Sequence, residues 1–398
     1  MKLRRSTTIS REGWYYLLVF GMIFGGALMR EVNLLVVLAG MLAGPLLLSR
    51  FTAVQMLRGL SVQRRVPHGV CAGDLLVANV TLSNPRKRLG SWAVLVEEPV
   101  CRETEGEARP AGRREPEAEA CVLFPYVPAG QSRKGDYRGR LERRGRYRLG
   151  PVRISTRFPF GLLRHTVTLG STASLTVFPR LGRLTQRWMA RHNESFAGTH
   201  RRERRPGTEG DFYGVRPWRR GDSRRWIHGR TSARAGKLMV RQFEQPRNRN
   251  VAILLDLWRP EQPGPDHLDS VEQAVSFAAT IVADLCRKGG SDLHLGMADP
   301  LPRLAGGPAS AALLQDSMER LARIEGQPRY HLPDLLEQTL RQIEPGTEIV
   351  LISTRPVDLA DAGRLGRLGA DAAQRAALRR IRSIDASSEE LAHFFQAE

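Results

Sequence analysis

The sequence predicts a chain of mixed class, α/β plus β. It has two N-terminal transmembrane helices, an antiparallel β-sandwich and a C-terminal doubly wound parallel sheet. Three observations predict this. Two uncharged apolar runs of helical length open the chain, at residues 14–29 and 32–48. Between residues 60 and 180 apolar and polar residues alternate with period two. After residue 250 unbroken apolar strands alternate with amphipathic helices. The expected organisation is an anchor over 1–50, a β domain over 60–180, a basic segment and linker over 181–250, and an α/β domain over 251–398.

Each apolar run rises about 25 Å as a helix. That is slightly short of a hydrocarbon core of roughly 30 Å, a deficit that flanking residues and local thinning absorb. Trp14, Tyr15 and Tyr16 stand where an interfacial aromatic belt would lie. Lys2, Arg4, Arg5 and Arg11 precede the first run, and Arg50, Arg58, Arg64 and Arg65 follow the second. The turn between them holds only Arg30, balanced by Glu31. The positive-inside rule therefore puts both termini and the bulk of the chain in the cytoplasm. The second run and the lack of a clear small-residue cleavage site argue against a signal peptide. A re-entrant hairpin stays open as an alternative. Asn33 sits at the turn and Pro45 near the end, so the pair reads as an anchor, not a pore.

In the β region LLVANVTLSN and SWAVLVEEPV read as the first clear strands, and residues 102–119 as a long charged loop. ACVLFPYV, DYRGRLERRGRYRL, PVRISTR and SLTVFPR continue the series, with Gly, Pro and Asn as punctuation. The spacing suggests a sandwich of immunoglobulin type. Phe158, Phe160 and Phe178 are expected in core or strand-end packing. The basic stretch LERRGRYRLGPVRISTRFPFGLLR reads as a solvated strand face, with anionic lipid or a protein as alternative neighbours.

The net charge is +20 over 398 residues. Nucleic acid, anionic lipid or an acidic protein surface would answer it. Residues 201–250 carry fourteen Arg and one Lys against three Glu and two Asp, about half of that net charge. Glycines interrupt the segment, so it is not one long helix. RRGDSRRWIHGRTSARAG reads as a turn and a short helix, with Asp222 or Ser223 as N-cap. The four cysteines, Cys71, Cys101, Cys121 and Cys286, form no C-x-x-C pair. The first three are expected as buried free thiols, and Cys286 as buried on a helix. No G-x-x-x-x-G-K-[ST] loop occurs, so the chain is not itself a P-loop ATPase.

Beyond residue 250 come the strand VAILLD, the helix HLDSVEQAVSFAATIVADLCRKGG, the strand DLHLGMAD, the helices GGPASAALLQDSMERLARI and LPDLLEQTLRQI, and the strand TEIVLIST. Ligands of such sheets sit at the carboxyl ends of strands, here Asp256 and the Ser353-Thr354-Arg355 turn.

On these residues the chain resembles the bacterial membrane-anchored proteins of domain of unknown function 58. The resemblance rests on the hairpin anchor, on RRGRYRLGPVRISTRFPFGLLR and on GTEGDFYGVRPWRRGDSRRWIHGRTSARAGKLMVRQFE. The signature positions are Phe212, Arg216, Gly221, Asp222, Arg225, Ile227, His228, Ser232, Ala233, Arg234, Leu238 and Arg241. Gly229 stands where the family usually has Trp, and Trp226 is the nearest aromatic. The resemblance implies a cell (inner) membrane location, a C-terminal domain like von Willebrand factor type A, and action beside a MoxR-type AAA+ ATPase in assembly or maturation of other proteins. Type A domains often hold Mg²⁺ through Asp-x-Ser-x-Ser. Here Asp256 is followed by Trp258 and Pro260 in place of both serines, and Arg259 would repel a cation, so no metal or other cofactor is expected. Asp256 is a vestigial metal-site position, expected to pair with an Arg of the signature segment or to cap the next turn.

The resulting expectation is a non-enzymatic scaffold or adaptor that docks protein partners. Its docking residues are Asp211, Phe212, Arg216, Gly221, Asp222, Arg225, His228, Ser232, Arg234 and Arg241. The signature segment also reads as a clamp between the β and α/β domains. One alternative is an enzyme using Asp256, His228 or Ser232 at the sheet edge. Another is an anionic-lipid or nucleic-acid binder, the latter disfavoured because no stacking platform or known module accompanies the charge.

Overall fold

A computed structural model describes residues 4–30, 33–103, 116–190, 206–244, 250–298, 303–329, 331–344, 346–359 and 377–397. For residues 30, 206–213, 242–244 and 303 the description covers the backbone alone. The chain divides into two units, Met1–Phe178 and Pro179–Glu398.

The first unit holds helices α1 (Arg11–Arg30) and α2 (Asn33–Leu57). Both are long and apolar enough to cross a membrane, and little of either is buried against protein. Its strands are β1 (Arg4–Ile9), β2 (Ser61–Arg65), β3 (Gly69–Cys71), β4 (Leu75–Ser83), β5 (Ser91–Glu103), β6 (Ala118–Val127), β7 (Ser132–Arg140), β8 (Gly145–Leu149), β9 (Val152–Thr156), β10 (Leu163–Leu169) and β11 (Ala173–Phe178). One sheet runs β1-β10-β9-β5-β8-β11-β3, with β6 on the other side of β5. A second runs β2-β4-β7. A single core joins the two, with Val80 and Leu82 from the small sheet and Val94, Tyr147, Ile154 and Leu175 from the large one. Strict alternation in β4, exposed then buried, is the sequence pattern that places it there.

Several expectations change in detail. DYRGRLERRGRYRL is two strands, β7 and β8, broken at Leu141–Arg144, where Tyr147 donates to the Arg143 carbonyl at 2.8 Å. The pairing is antiparallel except for the short parallel β3–β11 contact. The residue 102–119 loop begins and ends as strand, since β5 reaches Glu103 and β6 starts at Ala118. Phe160 is exposed, while Phe158 stacks on Trp92. Cys121 is exposed, and Cys71, Cys101 and Cys286 are half-buried, so the thiols are less enclosed than their apolar neighbours suggested. Arg64 and Glu98 form a buried ion pair, N to O 3.0 Å, and burial pushes the Glu98 carboxyl up.

The basic flank before α1, legible in sequence only as charge, is strand β1. It adds to the edge of the large sheet with Thr7 opposite His165 and Ile9 opposite Leu163. All six of its side chains are exposed, so no apolar alternation announced it. Ser10 then caps α1: its Oγ accepts from the Gly13 amide at 3.0 Å and lies 2.6 Å from the Gly161 carbonyl. The other end is tied equally firmly. Helix α2 outlasts the apolar run because Ser49, Ala53, Met56 and Leu57 are buried. Ser91 Oγ donates to the Met56 carbonyl at 2.9 Å, and the Arg86 guanidinium reaches the Gln55 and Met56 carbonyls that the helix end leaves without partners. Both ends of the helical hairpin therefore enter the same β unit.

The second unit contains β12 (Arg183–Leu184), β13 (Pro206–Pro217), α3 (Gly229–Ala235), β14 (Met239–Glu244), β15 (Val251–Asp256), α4 (Pro265–Lys288), β16 (Asp292–Met297), β17 (Arg303–Pro308), α5 (Ala311–Arg323), α6 (Leu332–Gln342), β18 (Glu348–Ser353), β19 (Arg382–Asp385) and β20 (Phe395–Gln396). The main sheet runs β17-β16-β15-β18-β19. It is parallel except at β17, which pairs antiparallel with β16, a departure from the wholly parallel expectation. Every residue of β15 is buried, as an unbroken apolar central strand requires. Leu332, Leu335 and Leu336 of α6 pack on Ala252, Leu254, Ile349 and Leu351. Alternation sends Ile253 and Leu255 to the opposite face, where α4 lies. Gly289 ends α4 as the sequence signals, while its start lies at Pro265, two residues before the expected His267, because Pro suits the first helical turn. The GGPAS stretch belongs to β17 and its exit, and α5 starts one residue after its N-cap Ser310. The first residues of the unit are part of its body: β12 pairs with β20, and buried Trp188 meets Phe277 edge-on at 5.2 Å.

Candidate functional site

Two places in the second unit gather the chemistry that the sequence singled out. The first is the β13–β14 hairpin, which carries the arginine-rich signature. Its strands pair from Pro217 opposite Met239 back to Gly214 opposite Gln242. The chain leaves β13 through a tight turn, makes one 3-10 turn at Arg224–Trp226, and forms α3 before returning.

Local polar bonds build this connection. Asp222 receives both guanidinium nitrogens of Arg216, at 2.6 and 2.7 Å, and the Arg219 amide at 2.7 Å. Arg216 chiefly, then the Arg219 amide, holds the Asp222 carboxyl below the usual carboxylate range. Gly221 has φ +108°, a conformation L side chains rarely adopt, so the turn needs glycine there. Ser223 caps the 3-10 turn through the Arg225 amide, as one of the two expected caps. The helix itself is capped by His228, whose Nδ1 accepts from the Thr231 amide at 3.2 Å. Asp222 is not a cap, because Arg216 and the turn claim both of its oxygens. Ser232 Oγ donates to the His228 carbonyl at 2.9 Å and accepts from the Met239 amide at 2.9 Å. His228 and Ser232 thus come together through the backbone, and the imidazole Nδ1 faces Thr231 rather than Ser232.

What remains exposed is basic. Residues 214–241 contain eight Arg and one Lys against the single acid Asp222. With Arg216 bound to that acid, Arg219, Arg220, Arg224, Arg225, Arg230, Arg234, Lys237 and Arg241 stay exposed. None of these eight has an ion pair among the described residues. Trp218 and Leu238 are exposed in their midst and are joined by the Trp218 amide to the Leu238 carbonyl at 2.9 Å. Sequence reading passed over Trp218, although it is an aromatic set directly before two arginines. Asp211 and Phe212 lie on β13, and their side chains fall outside the described residues.

The second place is the carboxyl edge of the main sheet. Asp256 is 2% exposed. Its Oδ2 accepts from Arg355 Nη2 at 3.2 Å and Nε at 3.3 Å, and from Ser353 Oγ at 3.3 Å. The expected partner in the signature segment is therefore corrected to Arg355, which the adjacent strand β18 delivers to the same edge. The Arg355 guanidinium also sits 5.6 Å from the Trp258 ring centre. Burial pushes the Asp256 carboxyl up, against the pull of Arg355. The residues do not fit a type A Mg²⁺ site. Asp256 already faces a guanidinium, and Trp258 fills its own polar valence by donating to the Pro328 carbonyl at 3.2 Å. Among the described residues no three His, Cys, Asp or Glu side chains are grouped to hold a metal ion.

Comparison with known proteins agrees with the hairpin's prominence. The family model described as "Protein of unknown function DUF58" matches residues 214–305, from the end of β13 into β17. "Uncharacterized protein YeaD" of Bacillus subtilis (strain 168) is 26% identical over 147 residues, 37% of this chain and 34% of that protein. The match thus spans about a third of the relative's length. Among solved structures, a CARDB domain from Pyrococcus furiosus is 12% identical, covering 30% of this chain and 93% of that one with a TM-score of 0.18. The sporulation control protein Spo0M of Bacillus subtilis is 9% identical, covering 40% and 57% with a TM-score of 0.21. Likenesses this weak carry no argument about fold. The hairpin and the first strands of the sheet, residues 214–305, are therefore the part of the chain that is similar to the DUF58 family, with the Bacillus relative beside that match.

Proposed function

We propose that the chain is a membrane-anchored, non-enzymatic scaffold or adaptor, and that the β13–β14 hairpin is its docking surface for an acidic protein partner. One observation supports this above the rest: among the described side chains of residues 214–241, eight exposed cations share the segment with exposed Trp218 and Leu238, while its one acid, Asp222, is held by Arg216. An exposed aromatic in a strongly charged segment suits an interface anchor, and the charge gives fast, salt-sensitive association. In this reading α1 and α2 anchor the chain with both termini cytoplasmic, the β unit is an immunoglobulin-like spacer, and the second unit is type A-like. The first candidate partner is a MoxR-type AAA+ ATPase acting in assembly or maturation of other proteins. A non-enzymatic role accords with Ser232 and Asp256 both being engaged in internal bonds.

The test uses the full chain in nanodiscs. Partners are captured from membranes, and binding to a purified MoxR-type ATPase is measured across a salt series. The same is done for a variant with Arg224, Arg225, Arg230 and Arg234 replaced by alanine. Loss of capture in the variant, and weakening of the native interaction with salt, is expected. Equal capture by both chains, independent of salt, rejects the docking surface.

A further inference from the structure

One end of the β unit gathers exposed aromatic and basic side chains where the helical hairpin begins. Val94 lies opposite Thr156, and Trp92 opposite Tyr126, so the start of β5, the end of β6 and the β9–β10 turn share that end of the sheet. The turn is joined to the start of α1: the Ser10 amide donates to the Leu162 carbonyl at 3.0 Å, and Ser10 Oγ to the Gly161 carbonyl at 2.6 Å. Gly13 allows this approach, since a Cβ there would stand 2.2 Å from the Leu162 oxygen.

The height of the turn follows from the helix register. Tyr16 donates its hydroxyl to the Leu42 carbonyl at 2.9 Å, which places these two residues within one tyrosine side chain's length of each other on the antiparallel pair. Ser10 lies as far before Tyr16 as Leu48 lies beyond Leu42, and Leu48 ends the apolar run. With the same rise per residue on both helices, the β9–β10 turn stands close to the end of the apolar run, to within the length of the Tyr16 side chain.

Trp92, Leu89, Tyr126 and Phe160 are exposed at this end. Trp92 is steadied by Tyr126 at 4.3 Å and Phe158 at 6.1 Å. Arg11, Arg50, Lys87, Arg88 and Arg157 are exposed around them, with Glu12 as the nearby acid. The arginines of β8 are used differently, since Arg146 and Arg148 flank Glu103 at 3.5 and 2.9 Å.

We propose that this end of the β unit is a collar for the bilayer that carries the hairpin. Phe160 and Trp92 enter the interfacial layer, and the long side chains of Lys87, Arg88 and Arg157 reach toward the phosphates of anionic phospholipids. Aromatic rings favour that layer, and cations close to an anionic surface are attracted to it. The collar holds the β unit at a fixed attitude to the membrane instead of leaving it swinging on two helices. The proposal rests on the hairpin spanning the membrane.

The experiment places the full chain in nanodiscs of phosphatidylcholine, alone or mixed with phosphatidylglycerol. Spin labels are set at Leu18→Cys and at Phe160→Cys, with the four native cysteines changed to serine. Amide exchange over residues 157–162 of the native chain is followed in parallel, and it decides the matter if the labelled chains misfold. Both labels should be open to oxygen and shielded from an aqueous nickel complex, and exchange should slow when phosphatidylglycerol is added. Replacing Lys87, Arg88 and Arg157 by alanine should remove the phosphatidylglycerol dependence, by about fivefold per cation. A lipid-embedded Leu18 label with a nickel-accessible Phe160 label, or exchange indifferent to phosphatidylglycerol, overturns the collar and leaves the anchor standing. A nickel-accessible Leu18 label overturns both.

Discussion

Arginine behaves in opposite ways at two places in the C-terminal unit. At the sheet edge, Arg355 lies against buried Asp256 and over Trp258, so its charge is answered inside the fold. Between residues 214 and 241 of the β13–β14 hairpin, Arg216 answers the single acid Asp222 and eight cations are left facing solvent. The difference shows that arginine density alone does not mark an interface. What marks it is exposed charge in excess of the local counter-charge, because only that excess is available to a partner.

Removing Arg355 breaks the internal half of this comparison and has the largest expected effect. Arg355→Ala leaves Asp256 buried without its cation and should cost about 3–5 kcal/mol in denaturant unfolding at neutral pH. A pH series refines the point. Burial raises the Asp256 carboxyl, so folding favours its protonated form. That contribution is full below the unfolded carboxyl pKa and is lost as pH rises through the folded one. Measured against Asp256→Asn, the native chain should therefore gain stability as pH falls from neutral. No such gain would mean that the pair is better solvated than its burial indicates.

The hairpin half of the comparison breaks differently. Alanine at Arg224, Arg225, Arg230 and Arg234 should slow association with an acidic partner on the order of 100-fold at low salt. The gap should close in high salt as screening shortens the reach of the charges. Stability should move by no more than about 0.5 kcal/mol, as for surface changes generally. A large loss of stability would instead assign these arginines to the fold, as Arg355 is.

Two glycines give the smaller effects. Gly221→Ala forces a side chain into φ +108° and should cost about 1–2 kcal/mol, read locally as faster amide exchange at the turn. Gly229→Ala meets no atom within 4 Å and opens a helix, so a gain of about 0.4 kcal/mol is expected from the same exchange measurement. A cost at Gly229 would show that a glycine at this position serves the hairpin's shape.

Much of the architecture was legible because period and punctuation are local. The unbroken VAILLD, the Gly289 end of α4 and the alternation of β4 all read directly from residue order. Strand β1 was not legible, since RRSTTI has no apolar face and becomes a strand only by adding to the edge at β10. The same holds for β17, whose glycines resembled a helix entry until β16 supplied a partner. At the candidate site the sequence identified the segment and Asp256. It misassigned the partner of Asp256, because Arg355 lies 99 residues away and only the pairing of β15 with β18 brings it near.

The sequence by itself determined the two apolar helices, the alternating and unbroken strand patterns, and the concentration of positive charge before residue 250, because each depends on near neighbours along the chain. Tertiary structure decided which charges are answered and which are left over. Whether a guanidinium meets a carboxylate depends on strand order and on turns that bring distant residues within about 3 Å of each other, the reach of a charge-assisted hydrogen bond.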